Sequence, residues 1–271
     1  MRDSYVHGYG ERETVRLCEQ ARTLSDLLHD GIAFAPGTRV LEAGCGVGAQ
    51  TLELARRHPQ AHFVALDISA DSLAAAERVV RGAGLTNVEF VCGDLTESPF
   101  APATFDAVFV CFVLEHLATP VAALEVIKRM AKPGGDIIVI EGDHGSALFH
   151  PDSAWARAAI QAQVDLQAAA GGDALIGRRL HPLLTEAGFA EVRVEPRQVY
   201  ADGGRPNWAK GFTLNTFTAM IAGVRDAAIN QGFSSAIAFD RCVADLARCG
   251  EPSGVFAYTF FRATAKTPRY F

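Results

Sequence analysis

None of the six cysteines pairs in a C-x-x-C spacing, so the sequence offers neither half of a zinc ribbon nor a thioredoxin-type redox pair. Cys45, Cys92 and Cys111 fall in or beside expected strands, where a thiol behaves as a small hydrophobe. No apolar run approaches the roughly 18 residues that a membrane helix needs, and the opening MRDSYVHGYGERE is too polar for a signal peptide. The expectation is a reduced, cytoplasmic protein with no membrane partner. Positive charge is also scarce: 25 Lys and Arg face 31 Asp and Glu, a net charge of −6. A polyanion calls for a basic face, so nucleic acid is not an expected partner; only Arg56-Arg57-His58 clusters, as a solvated helix end. Internal repeats, low-complexity tracts and convincing metal-ligand spacings are absent as well.

What is present is an alternation. From Arg39 onward, short apolar runs alternate with longer helical patterns, the signature of an α/β fold with a parallel sheet covered on both faces. Strands are expected at RVLEAG, HFVALD, VEFVCG, FDAVFVCFV and DIIVIEG. Ser69 is placed to N-cap a helix with the stripe Leu73, Ala76, Val80, which Gly82 and Gly84 stop. Pro120 suits a first helical turn, Leu124 and Ile127 share a face, and Pro133-Gly134-Gly135 ends that run.

After the fifth strand the alternation breaks. One addition, residues 143–177, holds a helix from Ala154 to Ala170; the other, residues 197–253, carries Trp208, the stripe Leu214, Phe217, Ile221, Val224 and a helix near Ala236 to Arg248. Between them a helix at Leu180 to Glu186 and a strand near Val192 to Glu195 resume the sheet, and GVFAYTFFRATA closes it. Both additions leave at the carboxyl ends of parallel strands, the edge where open α/β folds bind ligands, so together they are expected to cap one crevice. The division reads as a single domain: an N-terminal lid and helix (1–38), a cofactor-binding core (39–142), the cap insertions (143–177 and 197–253) and a closing strand and tail (254–271).

The turn LEAGCGVGAQT is open to two readings. Gly44, Gly46 and Ala49 satisfy a dinucleotide fingerprint, and Gly44, Gly46 and Gly48 equally satisfy the G-x-G-x-G of methyltransferases. Glu42 weighs on the choice, because a carboxylate beside the turn repels a pyrophosphate and favours a cationic ligand. Asp67, closing the second strand, suits ribose hydroxyls in either case.

The ordered series VLEAGCGVG, VALDIS, FVCGDL, SPFAPATFDAVFVCFVLEHL and MAKPGG resembles the class I S-adenosylmethionine-dependent methyltransferases over Arg39 to Gly142, and the closing YTFF strand agrees. The resemblance implies a Rossmann-like fold: a seven-stranded, mostly parallel sheet with helices on both faces and an inserted helical cap. It implies S-adenosyl-L-methionine as cofactor, with S-adenosyl-L-homocysteine as product. Gly44, Cys45, Gly46 and Gly48 would form the turn against the methionine half, with Glu42 near its ammonium group. Asp67 would take the ribose hydroxyls, Asp94 the adenine amino group and the Leu95 N–H a ring nitrogen. Ile68 and Leu95 would sandwich the adenine, and Phe112 and Val113 would pass the methionine moiety.

In related small-molecule enzymes the segment before the core folds over the site, which makes Tyr5, His7 and Tyr9 lid candidates, Tyr5 and His7 toward substrate and Tyr9 among the candidate catalytic groups. For proton handling the candidates are Glu115 and His116 after the fourth strand and Glu141, Asp143 and His144 after the fifth. His144 leads because histidine titrates near neutrality; His150 and His181 are reserves. Trp155, Trp208, Tyr200, Phe212, Phe217 and Tyr258 offer aromatic surfaces to a planar acceptor, with Trp155 and Trp208 expected to touch it. The chain is similar to bacterial natural-product methyltransferases, including those that methylate an indole at carbon. The expected activity is methyl transfer to a small aromatic or heteroaromatic metabolite. Oxygen or nitrogen methylation, a non-catalytic cofactor-binding module and a nicotinamide oxidoreductase are the alternatives, and the cap stripes leave room for a homodimer.

Overall fold

The computed structural model describes residues 11–97 and 99–269, so Tyr5, His7 and Tyr9 lie outside the described residues. Helix α1 (Glu11–His29) leads into β1 (Arg39–Ala43), α2 (Ala49–Arg57), β2 (His62–Asp67), α3 (Ala70–Gly82), β3 (Val88–Cys92), β4 (Phe105–Cys111), α4 (Pro120–Met130) and β5 (Ala131–His150). Then come α5 (Ala154–Ala169), α6 (Leu180–Glu186), β6 (Ala190–Asp202), α7 (Pro206–Trp208), a π-helix (Ala209–Thr218), α8 (Ala219–Gly223), α9 (Arg225–Asn230), α10 (Ala236–Ala247) and β7 (Val255–Lys266). The seven strands form one sheet in the order β3-β2-β1-β4-β5-β7-β6. β1 to β5 pair in parallel, and β7 runs antiparallel to both β5 and β6. The order reverses between β1 and β4, and the crevice at their carboxyl ends is where such sheets bind ligands.

Successive strand side chains point to opposite faces, and the two cores divide accordingly. Val40, Phe63, Phe109 and Ile138 pack on one side with Leu24 and Leu28 of α1, whereas Leu41, Val64, Val108 and Ile137 pack on the other with Leu124, Ile127 and Leu183. Continuous apolar strands are what burial on both faces demands. Ser69 caps α3 as expected, its Oγ accepting from Ser72 N at 3.2 Å.

The cap departs from the expected boundaries. β5 does not end at Gly142: after a break in register between Asp143 and Leu148, it resumes with Leu148 to His150 beside Ala257 to Val255. β6 runs on through Asp202 against the same strand, so residues 197–202 are sheet, not cap. The arm formed by β5, β7 and β6 thus rises past the crevice, where Phe149 stacks on Phe256. The stripe expected on an α-helix lies partly on the π-helix. There the hydroxyls of Thr216 and Thr218 donate to the carbonyls of Gly211 and Thr213, five residues back, at 2.8 and 2.7 Å. Wider i→i−5 turns bring Phe212, Phe217 and Ile221 into the core, while Leu214 lies against Gly250, where a Cβ would come within 2.6 Å of it. The π-helix packs along α1 and α10 along α5, and Phe212, Phe217 and Phe239 join the same core as Phe63 and Phe109.

Candidate functional site

The turn after β1 is held from below. Gly44 N and Cys45 N both donate to Leu66 O, at 2.8 and 2.9 Å. Gly44 has φ 80°, and a Cβ there would stand 2.5 Å from Val113 Cγ2. Gly48, at φ 78°, opens α2, and a Cβ would stand 2.7 Å from that of Ala76. Both positions therefore combine a left-handed backbone with a close approach that only glycine permits.

Three acids stand at three strand ends on the wall of one cavity of about 670 Å³. Glu42 is only 2% exposed, and its Oε2 has no hydrogen-bond partner. Burial pushes its carboxyl up to about 8, so it carries its proton at neutral pH. Asp67 Oδ2 accepts from Gly46 N at 2.7 Å and Oδ1 from Ser69 N at 2.9 Å. Burial raises this carboxyl while those backbone bonds pull it back down. Asp94 forms the turn that its residue type suggests, Oδ1 accepting from Thr96 N and Thr96 Oγ1 at 2.8 and 2.6 Å. Ile68, apolar yet 59% exposed, and Leu95 line the same cavity.

The far wall is built by β4, β5, β7 and the cap. Phe112 holds φ 59°, a left-handed value unusual for a bulky residue, and its ring lies 5.5 Å from that of Phe260. The following turn is fixed by Glu141, whose Oε1 accepts from Val113 N at 3.0 Å and Leu114 N at 2.7 Å. Glu141 is fully buried, and burial followed by the nearby Glu115 drives its carboxyl well above the ordinary range. It serves as a clamp on the backbone. Asp143 is bound to Arg178 through two bonds of 2.8 and 2.7 Å and also accepts from Gly145 N. Neither acid is among the residues lining the cavity.

Glu115 and His116 do line it, and Gln167 Nε2 donates to Glu115 Oε2 at 3.2 Å. His144 is on the wall at 6% exposure, its Nδ1 3.0 Å from the Tyr258 hydroxyl and its ring 5.8 Å from that of Phe217. Burial lowers its basicity, ahead of the opposing charges of Glu115 and Asp143.

The two tryptophans require correction. Trp155 and Trp208 are not on the cavity wall. Ser153 caps α5 through the N–H groups of Trp155 and Ala156, which leaves Trp155 in the first turn, 39% exposed, with the Arg241 guanidinium 5.0 Å over its ring. Trp208 packs against the core from outside. Tyr200, His150 and His181 are exposed and also off the wall. Phe212, Phe217, Tyr258 and Phe260 form the aromatic wall instead. The alternation of YTFF placed Tyr258 and Phe260 on one face, a signal that identifies Phe260 as well. Arg16 and Met220 of the wall were not anticipated, because nothing in their local sequence separates them from an ordinary helix face.

This wall fits S-adenosylmethionine. An orphaned buried carboxyl at Glu42, a glycine turn with no room for a Cβ, and an exposed apolar side chain between two acids match a ligand that has a cationic end, a ribose and a flat base. Among the described residues no group of three His, Cys, Asp or Glu is arranged to hold a metal ion, and no helix is long and apolar enough to cross a membrane.

The family described as "Methyltransferase domain" matches residues 40–135. An uncharacterized 37.1 kDa protein of a Streptomyces fradiae transposon is 31% identical, over 79% of this chain and 61% of that one. A demethylmenaquinone methyltransferase of Renibacterium salmoninarum is 33% identical, over 53% of this chain and 58% of that one. The chain thus spans about three fifths of these curated relatives. Among solved structures, the [4+2]-cyclase SpnF superposes with a TM-score of 0.59 at 23% identity, covering 92% of this chain and 81% of that one. A phosphoethanolamine N-methyltransferase of Haemonchus contortus, solved with S-adenosylhomocysteine, gives a TM-score of 0.56 at 19% identity, covering 91% and 52%. Sequence match and strand order agree: residues 40–135 match the methyltransferase-domain family, and the seven-stranded sheet has the Rossmann-like fold of the solved neighbours.

Proposed function

We propose that the chain transfers a methyl group from S-adenosylmethionine to a small aromatic or heteroaromatic metabolite. The observation that carries this reading is the continuity of one cavity, which joins the three acids at the ends of β1, β2 and β3 to the aromatic wall beneath the cap. Bound there, the cofactor supplies a methyl group activated by its sulfonium. Glu42 would face the ammonium end, Asp67 the ribose and Asp94 the adenine amino group, with Leu95 offering its N–H and flanking the base together with Ile68. Phe112 and Val113 set the wall beside the methionine half, and Phe212, Phe217 and Phe260 give a planar acceptor apolar surface while excluding water. Glu115 is the group available to hold or move a proton, and His144 offers the acceptor a hydrogen-bonding ring.

Carbon methylation of an indole is the narrower form of this reading, since a nucleophilic ring carbon asks for little base. A second reading has a specific observation behind it: SpnF, named a cyclase, shares this fold, and a fold does not fix the chemistry at its site. Incubation with methyl-labelled cofactor and a panel of indoles, hydroxyarenes, quinols and amines, read by mass spectrometry, separates the two. A labelled product is expected. Calorimetric binding of the cofactor without any product would favour a binding module, and no cofactor binding would overturn both.

A further inference from the structure

His144 and Tyr258 meet on the cavity wall as a pair of buried rings, with Nδ1 and the hydroxyl oxygen 3.0 Å apart. A neutral imidazole carries one N–H, so the direction of this single bond decides what the other nitrogen can do. Burial keeps the imidazole neutral. Burial, then the charges of Glu115 and Asp143, holds the Tyr258 phenol well above its ordinary value, against a smaller downward pull from a backbone hydrogen bond of Asp143. Among the described residues, Nδ1 is the only acceptor within hydrogen-bond distance of that buried hydroxyl. The phenol hydrogen then points to Nδ1, and the imidazole hydrogen must be on Nε2. Were the bond reversed, the buried phenol hydrogen would have no acceptor, a costly arrangement. Nε2 itself is buried and has no hydrogen-bond partner among the described residues. Aromatic rings flank the pair, Phe217 beside His144 and Phe212 and Phe260 beside Tyr258, while Glu115, His116 and Arg16 are the charged or titratable wall residues felt by the imidazole.

We propose that His144 meets the methyl acceptor as an Nε2–H hydrogen-bond donor, not as a base, with Tyr258 as the positioning residue that sets this tautomer. The acceptor is then a flat apolar molecule bearing one hydrogen-bond-accepting oxygen, a ring carbonyl or hydroxyl. The substrate class rests on the methyltransferase reading above; the tautomer does not.

The full chain labelled with 15N-histidine, at pH 8, tests both parts. Long-range proton–nitrogen correlations show which ring nitrogen is protonated, with His144 assigned by its loss in His144→Leu. The expected result is Nε2–H in the wild type and the appearance of an Nδ1–H population in Tyr258→Phe. Nδ1–H in the wild type, or a tautomer unchanged in Tyr258→Phe, overturns the pairing. 1-Indanone and indane, a matched pair that differs by one carbonyl, are then titrated. 1-Indanone should bind roughly three- to tenfold more tightly, with the preference kept in His144→Gln, whose amide still donates, and lost in His144→Leu. Equal binding of the two, or binding of neither, overturns the substrate class. Calorimetry with S-adenosylmethionine on the same sample reports separately on the methyltransferase reading: its failure leaves the tautomer result standing.

Discussion

Two buried titratable residues, one in the cavity wall and one in the core, dominate at the residue scale. Glu42, pushed up to about 8 by burial, is protonated at pH 7 in the free protein. A cationic ligand beside it lowers that value again, so cofactor binding should release a proton. Calorimetry at pH 7 in buffers of different ionisation enthalpy is expected to show this release in the wild type and not in Glu42→Gln, with affinity in the variant weaker by about tenfold. Identical buffer dependence in the two proteins would remove Glu42 from the ammonium site.

His29 works in the opposite direction. It lies against Phe109 with neither ring nitrogen bonded, and burial, helped by Arg57, lowers its pKa to about 4. Above pH 6.5 neither folded nor unfolded chain protonates it; between 6.5 and 4 only the unfolded chain does, so stability falls as pH drops through that window. At pH 5 the loss is about 2 kcal/mol. Urea unfolding of His29→Leu and wild type at pH 7.5 and 5.0 should show the variant losing less on acidification by about that amount.

Among elements, the turn after β4 is the one whose logic is least local. Val113 and Leu114 donate to a carboxyl 28 and 27 residues downstream, and Phe112 keeps its left-handed backbone within that frame. Burial drives the Glu141 carboxyl well above the ordinary range, and Glu141→Gln, which keeps an accepting oxygen, should cost less than Glu141→Leu, which strands two buried N–H groups and should cost about 2–4 kcal/mol. Thermal and urea unfolding of both variants checks this, and equal losses would show the clamp to be incidental. The same turn marks what was legible in the sequence. β2 was bounded correctly at His62 and Asp67, and the glycines of the β1 turn and the cap of α3 were found, because each depends on residues within a few positions. β5 was cut short at Gly142 because Leu148 to His150 are strand only by pairing with β7, more than a hundred residues away. Glu141 and Asp143 read as proton handlers for the same reason: their partners, the Val113 and Leu114 N–H groups and Arg178, are brought to them by the fold. Which of the aromatic residues face the cavity depended on a π-helix and a cap helix whose orientation local periodicity does not determine.

For the whole molecule, the question is whether cap and cofactor half unfold together. Phe212, Phe217 and Phe239 of the cap share one core with Val40, Phe63 and Phe109 of the sheet, and the β5, β7 and β6 arm carries strand pairing directly from one into the other. The chain's two tryptophans, Trp155 and Trp208, both lie in the cap, so fluorescence follows the cap while far-UV circular dichroism follows all of the helices and strands. A shared core predicts coincident urea transitions by the two probes. Phe239→Ala, which empties a fully buried site, should move both midpoints together by the equivalent of about 3–5 kcal/mol. Saturation with S-adenosylmethionine at a hundred times its dissociation constant should raise stability by about 2.7 kcal/mol, and the rise should appear in the tryptophan signal although the residues proposed to hold the cofactor belong to the other half of the chain. Separate transitions, or a cofactor shift seen by circular dichroism alone, would mean that the cap opens independently and that acceptor entry needs no unfolding of the cofactor half.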